Sequence, residues 1–188
     1  MKFRLEETFR KSSNNIYELY RGATDLENIE NSKNALWFSD DLVYAKKYAH
    51  GIGRLCKCLV KIENPYVRKG YPTTCPCETF VDLYKPKYEE DGYVPFFHPD
   101  GGVRFSKKWV NYFMGIADKV LREKPRKNGN TYEWNPGIYW QVLDYLNAKK
   151  ARELGYDAII YEMEGYASDE YCVLYPQKMI LEKTEVLE

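Results

Sequence analysis

The alternation of apolar and polar positions changes period twice within the first sixty residues. A polar arm, residues 1–15, gives way to Ile16–Tyr20, a short apolar run that predicts a first core strand, followed by a loop rich in Asp, Glu and Asn over residues 22–34. Ala35 to Phe38 is apolar and aromatic and predicts a second strand, after which Ser39 stands where a helix N-cap belongs. Leu42, Ala45 and Ala49 then recur at helical spacing and build one narrow apolar face, with Tyr48 at its edge and Lys46 and Lys47 pointing elsewhere. Gly51 and Gly53 break this pattern. The next run puts Cys58, Val60 and Ile62 on one face and Lys57 and Lys61 on the other, as a half-exposed strand ending at Asn64-Pro65.

From Arg68 to Asn135 the chain changes character, with Tyr, Pro, Gly and charged residues replacing the periodic pattern, and reads as an inserted segment of loops and helix. Ser106 is placed to cap a helix whose stripe is Trp109, Phe113, Ile116 and Val120. Tyr93, Phe96 and Phe97, in the loop-like part, suit a rigid recognition surface as well as a loop packed on its own helix. Asn135-Pro136 starts a further helix, patterned by Ile138, Val142 and Leu146 and ended by Gly155. The segment from Tyr156 to Glu162 predicts a buried strand. A turn through Glu164-Gly165 leads into the last strand from Glu170, antiparallel to it.

Composition narrows the function. The chain has 188 residues, enough for one substantial domain, and its 28 basic and 28 acidic side chains balance. Bulk charge therefore does not suggest a nucleic-acid binder, and a protein partner is favoured. No apolar run approaches the ~20 residues that span a bilayer, and the N-terminus lacks a secretory apolar core, so a cytoplasmic protein is expected, delivery into another cell left open. The five cysteines are an odd number without a signal sequence, which argues against a disulfide framework. Cys56 and Cys58, with Cys75 and Cys77 in a loop, could supply four thiolates to zinc; one-residue spacers are not those of ordinary structural zinc sites, and no metal is expected. Cys172, inside the last strand, reads as core.

Three strand-end elements carry candidate chemistry: Arg21-Gly22, the stretch from Trp37 to Tyr48, and Glu170. Their order resembles that of the ADP-ribosyltransferase superfamily, which includes poly(ADP-ribose) polymerases and bacterial and phage mono-ADP-ribosyltransferases. The resemblance covers roughly residues 16–66 and 150–182. It implies a single α+β domain over residues 1–188, built as a split antiparallel β-sheet pair with flanking helices that grips NAD, the segment at about 68–135 being an insertion. It also implies transfer of ADP-ribose from NAD to a macromolecular acceptor with release of nicotinamide, as in effector or toxin-like enzymes. By the same similarity Arg21 and Gly22 bind the dinucleotide, Trp37 and Tyr48 take the places of the stacking aromatics in the motif that contains Ser39, and Glu170 is the catalytic acid. Two other outcomes follow from the same fold: an NAD glycohydrolase, or a catalytically silent NAD-binding or protein-interaction module.

The residues support this chemistry in their own right. Breaking the bond between nicotinamide and ribose builds oxocarbenium character on the sugar, and a carboxylate that also accepts the ribose 2′-OH stabilises that state more than the ground state. Glu170 is the candidate, with Trp37 and Tyr48 holding the nicotinamide plane and Arg21 a fixed cation for the diphosphate. Enzymes of the superfamily that modify arginine carry an acid two residues before the catalytic Glu, where this chain has Ser168, so arginine is a disfavoured acceptor. Glu164, in the literal Glu162-Met163-Glu164, is the second choice for the acid.

Overall fold

The computed structural model describes residues 15–23, 32–49, 54–71, 75–84, 96–97, 103–104, 107–121, 127–128, 131–132 and 136–186. The chain divides into two compact units, Met1–Tyr71 with Ala151–Glu188, and Pro72–Lys150.

In the first unit β1 (Ile16–Ala23), β2 (Leu36–Ser39), β3 (Arg54–Lys61) and β4 (Pro65–Gly70) come before the second unit, and β9 (Ala158–Met163), β10 (Glu170–Val173) and β11 (Ile180–Val186) come after it. Among the described residues these strands form one mixed sheet in the order β11-β3-β1-β2-β10-β9-β4. This corrects the split antiparallel pair: β1 and β2 meet in register at Tyr20↔Ser39 and hold the two halves in one sheet. That seam is short, whereas β1 pairs with β3 along its whole length, Ile16↔Lys61 to Ala23↔Arg54. The α+β class holds. β4 adds a second departure, because Pro65, expected to end a strand, begins one that runs parallel to β9. Proline is tolerated there because the first residue of an edge strand need not donate to the ladder.

One face of the sheet packs as an apolar core of Leu19, Phe38, Cys56, Cys58, Val60, Ile62, Ala158, Ile160, Tyr171, Val173 and Met179. The short helix α1 (Leu42–Lys46) follows β2, and α5 (Pro176–Met179) follows β10.

In the second unit α2 (Cys75–Tyr84), α3 (Lys107–Ile116) with a π-helical turn at Ala117–Leu121, and α4 (Pro136–Glu153), whose last turn belongs to the first unit, accompany two-residue strand pairs β5–β6 (Phe96–Phe97, Val103–Arg104) and β7–β8 (Lys127–Asn128, Thr131–Tyr132). Cys75 and Cys77 thus lie on a helix rather than in a loop. The predicted stripes recur in the core of this unit, where Phe113, Ile138, Val142 and Leu146 are buried with Cys77, Phe80 and Tyr139. Tyr93 and the capping Ser106 lie outside the described residues, as do the side chains of Phe96, Phe97, Trp109 and Val120. Gly155 ends α4 at a φ of 86°; its N–H donates to the Arg152 carbonyl (3.1 Å) and that of Tyr156 to the Ala151 carbonyl (3.0 Å), the paired bonds of a left-handed helix stop.

Candidate functional site

Residues directly opposite one another in a sheet share a face, and alternate residues along a strand share one too. The register therefore lays a row across the sheet from Lys57 through Tyr20, Ser39, Glu170 and Tyr161 to Arg68, all on the face away from the apolar core. The next row on that face pairs Trp37 with Cys172. Trp37 is half-buried, its ring tilted against that of Tyr161 at 5.2 Å.

The turn from β2 into α1 sets the other wall. Ser39 is held in β2 by pairing with both Tyr20 and Glu170, so its backbone belongs to the sheet and it does not cap the helix. Its hydroxyl accepts the Asp41 N–H at 3.0 Å, and Asp41 is the N-cap, taking the Tyr44 N–H at 2.6 Å. Two further bonds tie this turn to the β9–β10 link: the Asp169 N–H donates to Asp40 Oδ1 (2.9 Å), and the Met163 N–H to Asp169 Oδ1 (3.0 Å). α1 then crosses β1 at Gly22, where a Cβ would lie 2.2 Å from the Ala45 carbonyl oxygen, so only glycine admits the helix.

These constraints bring α1 onto Glu170. The Tyr44 hydroxyl donates to Glu170 Oε1 at 2.9 Å, and the Tyr48 hydroxyl reaches the same oxygen at 3.4 Å and the Tyr44 oxygen at 3.2 Å. The two tyrosine rings meet edge to face at 5.6 Å. Burial raises the Glu170 pKa above the ordinary carboxylate value, opposed by the Tyr44 bond and then the Tyr48 bond. The Tyr44 phenol is pushed up by burial and by its bonds to Tyr48 and Glu170. Nearby on the same face, Tyr20 donates to Glu18 at 2.5 Å, which lifts its phenol to about 12.

Of the residues singled out from the sequence, Ser39, Tyr48 and Glu170 converge, Trp37 stands one row away on the same face, and Gly22 lies beneath α1. Arg21 does not join them. One residue after Tyr20, it projects from the core face, with its guanidinium 5.9 Å from the centre of the Phe38 ring and Nη1 donating to the Trp37 carbonyl at 2.6 Å. There it bridges the short seam by satisfying a carbonyl of β2. Its cross-strand neighbour Cys56 lies 3.8 Å, sulfur to sulfur, from Cys58, and that thiol contact, with Arg21 and Lys183 nearby, lowers the Cys56 pKa. Among the described residues no group of three or more His, Cys, Asp or Glu side chains is placed to hold a metal ion. Glu164 is exposed in the turn after β9, and Glu162 pairs with Lys69 at 3.0 Å.

The sequence reading passed over Tyr44. Its signal was present in the spacing, since Tyr44 precedes Tyr48 by four residues and so faces the same way. Asp41 was legible as well, as an Asp directly before the first periodic apolar residue, Leu42.

No protein-family model matches the chain, and no curated protein matches it. A solved structure described as the crystal structure of an anti-CRISPR protein aligns with 91% of this chain and 96% of its own at 13% identity and a TM-score of 0.39.

Proposed function

We propose that the protein transfers ADP-ribose from NAD to a macromolecular acceptor, with Glu170 as its catalytic carboxylate. The observation that carries this reading is the partly buried carboxylate of Glu170 at the start of β10, reached at Oε1 by two tyrosine hydroxyls on the face that also bears Trp37. A dinucleotide fits the donor set, because a carboxylate can accept a ribose hydroxyl while an indole and a phenol flank a flat ring. NAD supplies a nicotinamide–ribose bond that breaks with its electron pair leaving on the nicotinamide nitrogen. Glu170 places negative charge beside the ribose as positive charge develops there, and does so from a site where burial strengthens the interaction. Trp37 and Tyr48 hold the departing ring. Gly22 and Asp41 act earlier, by fixing the line of α1.

A second reading is favoured by Ser168, which is buried two residues before Glu170 and supplies no acid to activate an acceptor. Water is then the acceptor and the protein hydrolyses NAD. Incubating the purified protein with NAD and measuring free nicotinamide tests both readings, and tagged NAD in a cell extract separates them. Nicotinamide with a labelled macromolecule supports transfer, nicotinamide alone supports hydrolysis, and neither product would sink the assignment of an enzyme.

A further inference from the structure

We propose that Tyr44 is the positioning residue for Glu170 and that Tyr48 is a displaceable cover over the same carboxylate oxygen. The inference rests on the reading of Glu170 as the reacting carboxylate. Both hydroxyls reach Oε1, but on unequal terms. Tyr44 donates from inside α1, at 2.9 Å, from a ring that is half-buried and lies under the Lys47 ammonium at 5.1 Å; the Asp41 cap holds its own N–H. Tyr48 sits beyond the helix, in a turn where the N–H groups of Lys47, Tyr48 and Ala49 bond three residues back. It is 51% exposed, and its bond to Oε1 is 3.4 Å long. An O–H···O bond is best near ~2.7–2.8 Å, so the Tyr48 contact is weak, and its exposure lets water or a ligand hydroxyl replace it.

A ribose hydroxyl arriving at Glu170 can therefore take the Tyr48 bond and leave the Tyr44 bond in place. The carboxylate stays fixed while the phenol of Tyr48 moves off it. The same face of the sheet carries Ser39 from β2 and Tyr161 from β9 beside Glu170, with Tyr20 and Lys57 beyond Ser39 and Arg68 beyond Tyr161. Among the described residues Tyr44 and Tyr48 are the groups that bond the carboxylate.

Tyr44→Phe and Tyr48→Phe each remove one oxygen and keep the ring, so the fold is retained. The first measurement is a carboxyl carbon NMR titration of the full chain without NAD, with Glu170→Gln identifying the Glu170 signal. Loss of a bond that favours the charged form raises the midpoint, and Tyr44→Phe is expected to raise it at least twice as much as Tyr48→Phe. The second measurement is NAD turnover. Tyr44→Phe is expected to lower kcat by at least about tenfold with KM within about twofold, the loss of a bond to a charged group, whereas Tyr48→Phe acts chiefly on KM. Equal midpoint shifts, or a kcat loss in Tyr48→Phe as large as in Tyr44→Phe, would overturn the division of roles. Normal NAD turnover by Glu170→Gln would remove the functional reading on its own, and the NAD-free titration would still decide between the two tyrosines.

Discussion

On one face of the sheet Leu19, Phe38, Val60, Tyr171 and Val173 pack together and are nearly inaccessible; on the other, Tyr20, Glu170 and Lys57 form a row of polar groups only partly withdrawn from water, with the buried Ser39 among them. The same four strands, β3, β1, β2 and β10, make both. Each residue's face is decided by parity, so Phe38 lies on the core face and its neighbours Trp37 and Ser39 on the face of the candidate site. The packed core and the candidate site are thereby separated by a single residue step along a strand. Arg21 is the exception that marks the boundary, a cation on the apolar side that spends its charge on a backbone carbonyl of β2. Burial lowers its pKa.

The comparison breaks if changes on one face behave like changes on the other. The largest effect is expected from Leu19→Ala, where a fully buried side chain leaves a cavity: about 2–5 kcal/mol of unfolding free energy, read by urea titration, with NAD turnover per folded molecule close to normal. Next comes Glu170→Gln, expected to lose at least ~10²-fold in nicotinamide release while NAD still binds. Equal rates in the two proteins would return Glu164 as the candidate acid. Trp37→Ala should weaken NAD binding by roughly 1–3 kcal/mol if stacking on the nicotinamide resembles stacking on a base. A thermal melt beside the binding curve distinguishes this from lost packing on Tyr161.

The smallest effect concerns pH. The folded-state pKa of Glu170 is raised above its ordinary 4.5, so the carboxyl binds a proton more readily in the folded protein than in the unfolded chain. Its contribution to stability is complete below that value and falls as pH rises through the folded pKa. Glu170→Gln, which cannot ionise, should therefore be modestly more stable than the natural protein at neutral pH, the difference closing in acid below about 4.5. A stability gain joined to a loss of turnover would place the strain of an ionised, half-buried carboxylate at the site itself.

Much of the fold was legible because its strands and helices follow strict periods. Ile138, Val142 and Leu146 announce α4, and Gly155 announces its end, since few other residues adopt the positive φ found there. The single sheet was not legible, because whether β1 and β2 join or part depends on one cross-strand pair, Tyr20↔Ser39, that no local pattern encodes. In the candidate site, Glu170 and Tyr48 were singled out through their order along the chain, and the structure brings them together. Tyr44 was missed because a tyrosine inside a helix reads as packing until its hydroxyl is seen to have a partner. Arg21 was grouped with Glu170 by proximity to strand ends, and residue parity across β1 and β2 sends the two side chains to opposite faces.

β4 and β9 lie side by side and run the same way, and a tight turn cannot make such a pair; it requires a crossover, usually through a helix. Here the crossover is residues 71–157, so the whole of Pro72–Lys150 is made between the two partners. During synthesis β1, β2 and β3 emerge first, and the strand that brings Glu170 to Ser39 follows only after that long excursion. Completion of the site is therefore a late event in the life of the chain. A nascent protein that stops anywhere before residue 170 carries Ser39, Tyr44 and Tyr48 without the glutamate they meet in the folded chain.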